Sequence, residues 1–206
     1  MRGRHLTLVG LALGLALILF ATIRYPGGSQ HDAFAPGFDW KHNYLSDLFT
    51  PAAVNGAANA SRNFAIPGVL VLCATLARFF RRFSKGAPTP ALRRFIAIPG
   101  VAAMVFAALA CTPLHDAVLS LASTAALLAF FSVVVLLARS GRYPLLALGV
   151  ATLLVSYITN YVYFARQFLE WLPTLQKISL SLLFSWVLSL EYTGEHNGWD
   201  RAPRPA

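Results

Sequence analysis

The chain has 206 residues, of which 57% are hydrophobic and only 12% are charged. A soluble domain needs more polar side chains to cover its surface, so this composition excludes an ordinary soluble protein. Six apolar stretches of at least about 17 residues use most of the chain, which leaves no room for a separate catalytic or nucleotide-binding domain. With two cysteines, a disulfide scaffold is excluded as well. The sequence therefore predicts an all-α, polytopic membrane protein.

The predicted architecture is a single six-helix transmembrane bundle over residues 1–192. The first apolar run is longer than that of a signal peptide and lacks a small-residue cleavage site, so we expect it to remain as an anchor. A long loop over 24–63 and a polar tail over 193–206 complete the predicted organisation. The six predicted spans are 6–23, 64–80, 95–111, 116–137, 143–163 and 172–190.

The basic residues are divided unevenly between the two sides that this topology defines. Twelve of the 17 Lys and Arg residues lie before span one, between spans two and three, between spans four and five, or after span six. By the positive-inside rule, both termini are predicted to be cytoplasmic and loop 24–63 to lie outside. Attraction to anionic lipid headgroups then accounts for the net charge of +9, and no nucleic-acid partner is predicted. The Ala- and Arg-rich composition favours a bacterial inner membrane.

Loop 24–63 and the outer ends of the spans hold most of the polar chemistry. Within the loop, Thr50-Pro51 indicates the start of a short helix through Ala60. Our leading interpretation is a pocket, open to the outer leaflet, that binds a membrane lipid or another amphiphile. The polar rim of this pocket is predicted to consist of His42, Asn43, Ser46, Asp47, Arg62, His115 and Asp116.

A membrane-embedded hydrolase is the first alternative. The imidazoles of His42 and His115 would bind a metal ion that activates water, with Asp47 or Asp116 as the carboxylate ligand. In another arrangement, Ser46 would be the nucleophile and His115 its base. The chain contains no His-Glu-x-x-His motif and no cysteine cluster, so these four residues are weak metal candidates and no cofactor is predicted.

A second alternative is a structural subunit of a membrane complex. In a further interpretation the same residues form no site. Asp47 would pair with Arg62 or Lys41, Asp116 would cap span four and His115 would lie in the interface, while Asn43 and Ser46 would hydrogen-bond the loop backbone. Ion-coupled transport is disfavoured, because no ionisable residue lies near the centre of a predicted span.

Two spacings predict packing seams between helices. Gly10 and Gly14 in span one form the small-xxx-small motif through which membrane helices approach closely. Ser181, Ser185 and Ser189 repeat every four residues along one face of span six. We expect both stripes to face a neighbouring helix.

Three short motifs resemble those of a known family. They are Asn43-Tyr44-Leu45-Ser46-Asp47-Leu48 after span one, Asn63-Phe64 at the start of span two, and Pro113-Leu114-His115 before span four. Together they look like the six-helix membrane family catalogued as domain of unknown function 998, with a more distant likeness to Frag1/DRAM-type proteins. The resemblance covers most of the chain, from span one through span six. It implies a six-helix fold and no established reaction.

Overall fold

A computed structural model describes residues 2–112 and 114–193, and for residues 2–4 the backbone alone. Within these ranges the chain forms helices and loops, with no β-strand. Six α-helices are present: α1 (Arg2–Ile23), α2 (Arg62–Phe83), α3 (Pro90–Leu109), α4 (His115–Arg139), α5 (Tyr143–Ala165) and α6 (Leu172–Thr193). The all-α prediction is confirmed. Each predicted span lies on one of these helices, except that span 95–111 continues two residues past the end of α3. The predicted polar tail beyond residue 193 lies outside the described residues.

The six-span prediction is confirmed only in part. Among the described residues, α1 to α5 are long and apolar enough to cross a membrane, and α6 falls below that criterion. Although α6 has 22 residues, it carries Gln176, Lys177 and Glu191 together with several serines. These polar residues lower its mean hydropathy, and two of them make the contacts described below.

Each helix packs against the next one in the chain, and α6 returns to contact α1. The predicted glycine seam of α1 is confirmed. A Cβ added at Gly14 would lie 2.6 Å from Leu72 and 3.1 Å from the carbonyl oxygen of Gly68 in α2, and one at Gly10 would lie 2.2 Å from the Thr75 hydroxyl. The two backbones therefore approach too closely for any larger residue.

The predicted serine seam of α6 is wrong. Ser181 and Ser185 are exposed on the outside of the bundle, because Leu183, Trp186 and Val187 occupy the buried face of the helix. The Trp186 indole packs edge-on against Phe130 and donates a hydrogen bond to the carbonyl of Leu145 at 3.0 Å. Its ring lies 2.6 Å from where a Cβ at Gly149 would stand, so the glycine of α5 leaves space for the indole of α6.

One buried carboxylate joins three helices at the end of the bundle opposite the long loop. Glu191 in α6 is only 4% exposed. It accepts a hydrogen bond from the Thr7 hydroxyl of α1 at 2.9 Å and forms an ion pair with Arg82 of α2. A buried carboxylate is costly unless it has such partners. Because the partners lie on α1 and α2, the contact joins the last helix of the bundle to the first two.

Candidate functional site

The segment between α1 and α2 folds over the end of the bundle where α1 finishes. Its backbone forms two isolated β-bridges, Gly27 to Pro36 and Ala52 to Ala58, and a 3-10 helix over Leu45–Phe49. Beneath it, Tyr25, Leu48 and Ala53 join Ala21 of α1 and Ala65 of α2 in a small apolar cluster. We call this segment, residues 24–61, the cap.

The predicted helix from Thr50 to Ala60 is wrong, because a tight turn replaces it. Gly56 has a φ of +82°, and its N–H donates to the carbonyl of Ala53 at 2.9 Å. Asn55-Gly56 is a strong turn signal, and it prevails over the helix-start signal of Thr50-Pro51. The chain therefore doubles back before it enters α2.

The Asn43 side chain is the centre of the cap and is fully buried. Its Nδ2 donates to the carbonyl of Gly28 at 2.9 Å and to Oδ2 of Asp47 at 3.0 Å. Its Oδ1 accepts the N–H of Asp39 at 2.8 Å. One side-chain amide thus uses both donor hydrogens and its acceptor oxygen to join Gly28, Asp39 and Asp47. The predicted backbone-bonding role of Asn43 is confirmed.

The glycine at position 28 allows this arrangement. Its φ is +82°, and a Cβ there would lie 2.5 Å from the backbone nitrogen of Asn55. Its N–H donates to the carbonyl of Ala35 at 2.7 Å, while its own carbonyl receives the Asn43 amide. Only glycine adopts this backbone conformation at so close an approach without strain.

Asp47 is the buried carboxylate of the cap, 8% exposed. Besides the Asn43 amide it accepts the N–H of Tyr44 at 2.9 Å. Burial raises the pKa of Asp47 above its ordinary value of 3.8, and the hydrogen bonds from Asn43 and Tyr44 offset only part of that effect. The predicted pairing of Asp47 with Arg62 or Lys41 is wrong: its hydrogen-bond donors are the Asn43 amide and the Tyr44 N–H, and the cation whose charge acts on it is Lys177.

A second buried amide, Asn59, holds the other half of the cap. Its Nδ2 donates to the carbonyls of Asp47 and Thr50, both at 2.9 Å. Its Oδ1 accepts the N–H of Ser61 at 3.1 Å, and the Ser61 hydroxyl reaches the carbonyl of Leu48 at 3.2 Å. Sequence reasoning missed this residue, although an Asn two positions before a Ser at a helix start is typical of such backbone-bonding turns.

Lys177 of α6 fastens the cap to the bundle. Its Nζ donates to the carbonyl of Asn43 at 2.8 Å and to that of Pro173 at 2.9 Å. The same ammonium lies 5.7 Å from the centroid of the Phe38 ring. A long-range contact of this kind fixes the position of the cap relative to α6.

His42 lies at the surface of the cap and belongs to a different group of side chains. Its Nδ1 is 2.7 Å from Oδ2 of Asp39, and its ring stacks on that of His31 with centroids 4.7 Å apart. Burial tends to raise the pKa of Asp39, but hydrogen bonds from the His42 ring and from the N–H groups of Lys41 and His42 outweigh it and hold the pKa below 3.8.

An exposed group of polar side chains lies where the start of α4 is beside the end of α5, at the same end of the bundle as the cap. Asp116, whose side chain is 73% exposed, accepts hydrogen bonds through Oδ1 from the Tyr163 hydroxyl and from Nδ1 of His115. The Arg166 guanidinium lies 5.5 Å from the centroid of the Tyr163 ring. From the cap, Tyr44 completes the group: burial and the Asp47 charge raise the pKa of its hydroxyl, and the Arg166 charge offsets part of that effect. We call Tyr44, His115, Asp116, Tyr163 and Arg166 the rim cluster.

Asp116 does not cap α4 as predicted. The residue at the cap position is Leu114, which makes no capping hydrogen bond. Asp116 lies in the first turn instead, where its negative charge interacts favourably with the helix dipole. Its carboxylate contacts Tyr163 of α5. The oxygen Oδ2 has no protein partner among the described residues.

The seven predicted rim residues thus fall into separate places. Asn43 and Asp47 contact each other inside the cap, His115 and Asp116 contact each other in the rim cluster, and His42 pairs with Asp39. Neither the Ser46 hydroxyl nor the Arg62 guanidinium makes a hydrogen bond or an ion pair within the described part of the chain. Across residues 2–112 and 114–193, no three His, Cys, Asp or Glu side chains are placed to hold a metal ion.

No protein-family model, curated protein or solved structure matches this chain. The resemblance to the six-helix family stays a prediction, and one of its motif residues, Pro113, lies outside the described residues.

Replacing Asn43 with alanine should release the cap. The substitution leaves the Asp47 carboxylate and the Asp39 N–H without their buried partner, which typically costs about 1–3 kcal/mol. Hydrogen exchange of the cap amides should accelerate by roughly 5- to 150-fold. The matched control is Asn63→Ala, an exposed Asn at the start of α2. Equal exchange in the two variants would contradict the central role of Asn43.

Two of the three cap carboxyls, Asp47 and Asp39, should respond to pH in opposite directions. Because the folded pKa of Asp47 is raised, the cap binds the proton more tightly when closed, and its stability should fall as pH rises above 3.8 through the raised value. Because the folded pKa of Asp39 is lowered, its contribution should be lost as pH falls below 3.8. Cap hydrogen exchange, corrected for intrinsic chemistry, measures both windows.

Asp47→Asn should abolish only the change in cap stability above pH 3.8, and Asp39→Asn only the change below pH 3.8. A cap whose stability rises between 3.8 and neutral pH would show that Asp47 is held as a stabilised carboxylate, contrary to its burial.

Proposed function

We propose that this chain is an integral membrane protein that binds a membrane lipid or another amphiphile at the rim cluster, with the cap fixed beside the site. Both termini would be cytoplasmic and the cap would face outward, in keeping with the distribution of Lys and Arg. A bacterial inner membrane remains the proposed location.

The outer surface of the bundle supports a membrane environment. Large apolar side chains are exposed along the middle of the helices, including Val9, Leu13, Leu70, Val105 and Leu128. Such a surface is costly in water and is expected where lipid chains surround the helices.

Exposed aromatic residues mark both ends of the same surface. Tyr161, Phe164 and Trp171 lie at the cap end, and Phe95 and Tyr143 lie at the opposite end. Aromatic side chains are enriched at the two levels where a membrane meets water. The rim cluster therefore lies near the level of lipid headgroups.

The observation that carries the proposal is the arrangement of Asp116 and Arg166. Tyr163 holds Asp116 by a hydrogen bond through Oδ1 and lies beneath the Arg166 guanidinium, so an anionic and a cationic group flank one aromatic ring. Both charged groups are exposed, and Phe164 beside them is 51% exposed. A headgroup could bind the charges while its acyl chain contacts the aromatic surface.

The hydrolase alternative has less support. Ser46 and His115 belong to different parts of the structure, with no hydrogen bond between them, and the four weak metal candidates are divided among the cap interior, the His42 pair and the rim cluster. The cap residues Asn43 and Asp47 are buried and engaged with each other. We therefore assign the ligand to the exposed cluster.

Native mass spectrometry of protein released in mild detergent tests the proposal. The wild type should retain a lipid or other amphiphile, and Arg166→Gln should lower the affinity for it about tenfold by removing a charged hydrogen-bond donor. Arg24→Gln, an exposed arginine at the same end of the bundle, is the matched control and should retain the ligand.

Substitution of His115 separates binding from catalysis. A binding protein should lose ligand in His115→Ala, because the imidazole positions Asp116. A variant that keeps its ligand but no longer converts it would instead establish the hydrolase. A wild-type spectrum with a protein partner and no amphiphile would establish the structural-subunit alternative.

A further inference from the structure

We propose that the turn between α2 and α3 is a binding surface for anionic phospholipid headgroups at the opposite end of the bundle from the rim cluster. This inference rests on the membrane embedding proposed above and not on the rim ligand. We call residues 81–94 the basic turn.

The basic turn carries more positive charge than the carboxylates of the described residues neutralise. From Arg78 to Arg94 the sequence contains six Lys and Arg residues and no Asp or Glu. The buried Glu191 forms an ion pair with Arg82. Arg81, Lys85 and Arg94 are exposed, and none of these three forms an ion pair within the described residues.

The backbone that presents these cations is held rigidly. Ser84 is 4% exposed, and its hydroxyl donates to the carbonyl of Arg81 at 3.1 Å. Ala87 is fully buried, and its N–H donates to the carbonyl of Ser84 at 3.0 Å. The Arg93 Nε in turn donates to the carbonyl of Ala87 at 2.7 Å. Binding therefore requires little ordering of the backbone, which favours affinity.

The exposed face of α3 changes from cationic to apolar within one helical turn. Arg94 is followed by Phe95, 63% exposed, and by Ile98, 66% exposed one turn further on. Residues at positions 94, 95 and 98 lie on one side of the helix. A phospholipid would match this order, with its phosphate at Arg94 and its acyl chains along Phe95 and Ile98.

This continuity selects an anionic lipid over other anions. A soluble polyanion would contact the cations and leave Phe95 and Ile98 exposed, whereas a bilayer satisfies both parts of the surface. Each Lys or Arg near an anionic membrane contributes about a fivefold gain in affinity, the equivalent of about 1 kcal/mol.

The test compares two double variants that each remove one lysine and one arginine. Lys85→Gln/Arg94→Gln alters the basic turn, and Arg24→Gln/Lys41→Gln is the matched control at the cap end. All four side chains are exposed, so both variants should fold. Each protein, in mild detergent, is titrated separately with phosphatidylglycerol and phosphatidylcholine, and bound lipids are counted by native mass spectrometry.

We expect the wild type and the control to bind phosphatidylglycerol more tightly than phosphatidylcholine, with the preference falling as salt is added. The basic-turn variant should bind phosphatidylglycerol about 30-fold more weakly, from two cations at about 1 kcal/mol each, and should bind phosphatidylcholine as the wild type does. The last result also shows that the variant is folded.

Unchanged phosphatidylglycerol binding in the basic-turn variant, or an equal loss in the control, would overturn the proposal. Loss of the rim ligand in Arg166→Gln does not bear on the basic-turn proposal, because the rim cluster lies at the other end of the bundle. Wild-type protein that remains monodisperse in water without detergent would overturn the membrane embedding and this inference together.

Discussion

The buried side-chain amide of Asn43 is the interaction on which the cap depends. A segment of this length laid over an apolar bundle has many backbone polar groups, and each one removed from water needs a partner. The Asn43 amide is the partner of two such groups, the Gly28 carbonyl and the Asp39 N–H, and also donates to the Asp47 carboxylate. The carbonyl of the same residue receives Lys177, so one position both folds the cap and attaches it to α6.

Each end of the bundle contains a buried carboxylate, and the two carboxylates have different kinds of hydrogen-bond partner. At the cap end, burial raises the pKa of Asp47, and the hydrogen bonds from Asn43 and Tyr44 together with the charge of Lys177 offset only part of that effect. At the other end, Glu191 meets Arg82 and the Thr7 hydroxyl. Helix α6 contributes to both ends, through Lys177 at the cap and Glu191 at the other end. These two charged residues are among those that lower the hydropathy of α6 relative to α1 to α5.

The helices could be predicted from the sequence because apolar runs of about 20 residues form membrane-spanning helices. The spacing of Gly10 and Gly14 correctly indicated close packing of α1 against α2. The cap could not, because it has no periodicity that assigns a side chain to the inside or the outside. Asn43 and Asp47 were singled out as the exposed rim of a pocket, but they are buried, and their burial depends on Gly28 and Lys177, which are distant in sequence. The short helix expected after Thr50 failed because the Asn55-Gly56 turn competes with it locally.

Acylation of the three lysines tests most directly whether the cap is fixed to α6. The chain contains only Lys41, Lys85 and Lys177, so the first two, both exposed, are internal controls for the third. With an amine-reactive ester and peptide mass spectrometry, Lys41 and Lys85 should react rapidly and Lys177 slowly, because its ammonium is bound to the carbonyls of Asn43 and Pro173. In Asn43→Ala, Lys177 should become reactive. Equal reactivity of all three lysines in the wild type would show that the cap is not attached to the bundle and would contradict this account.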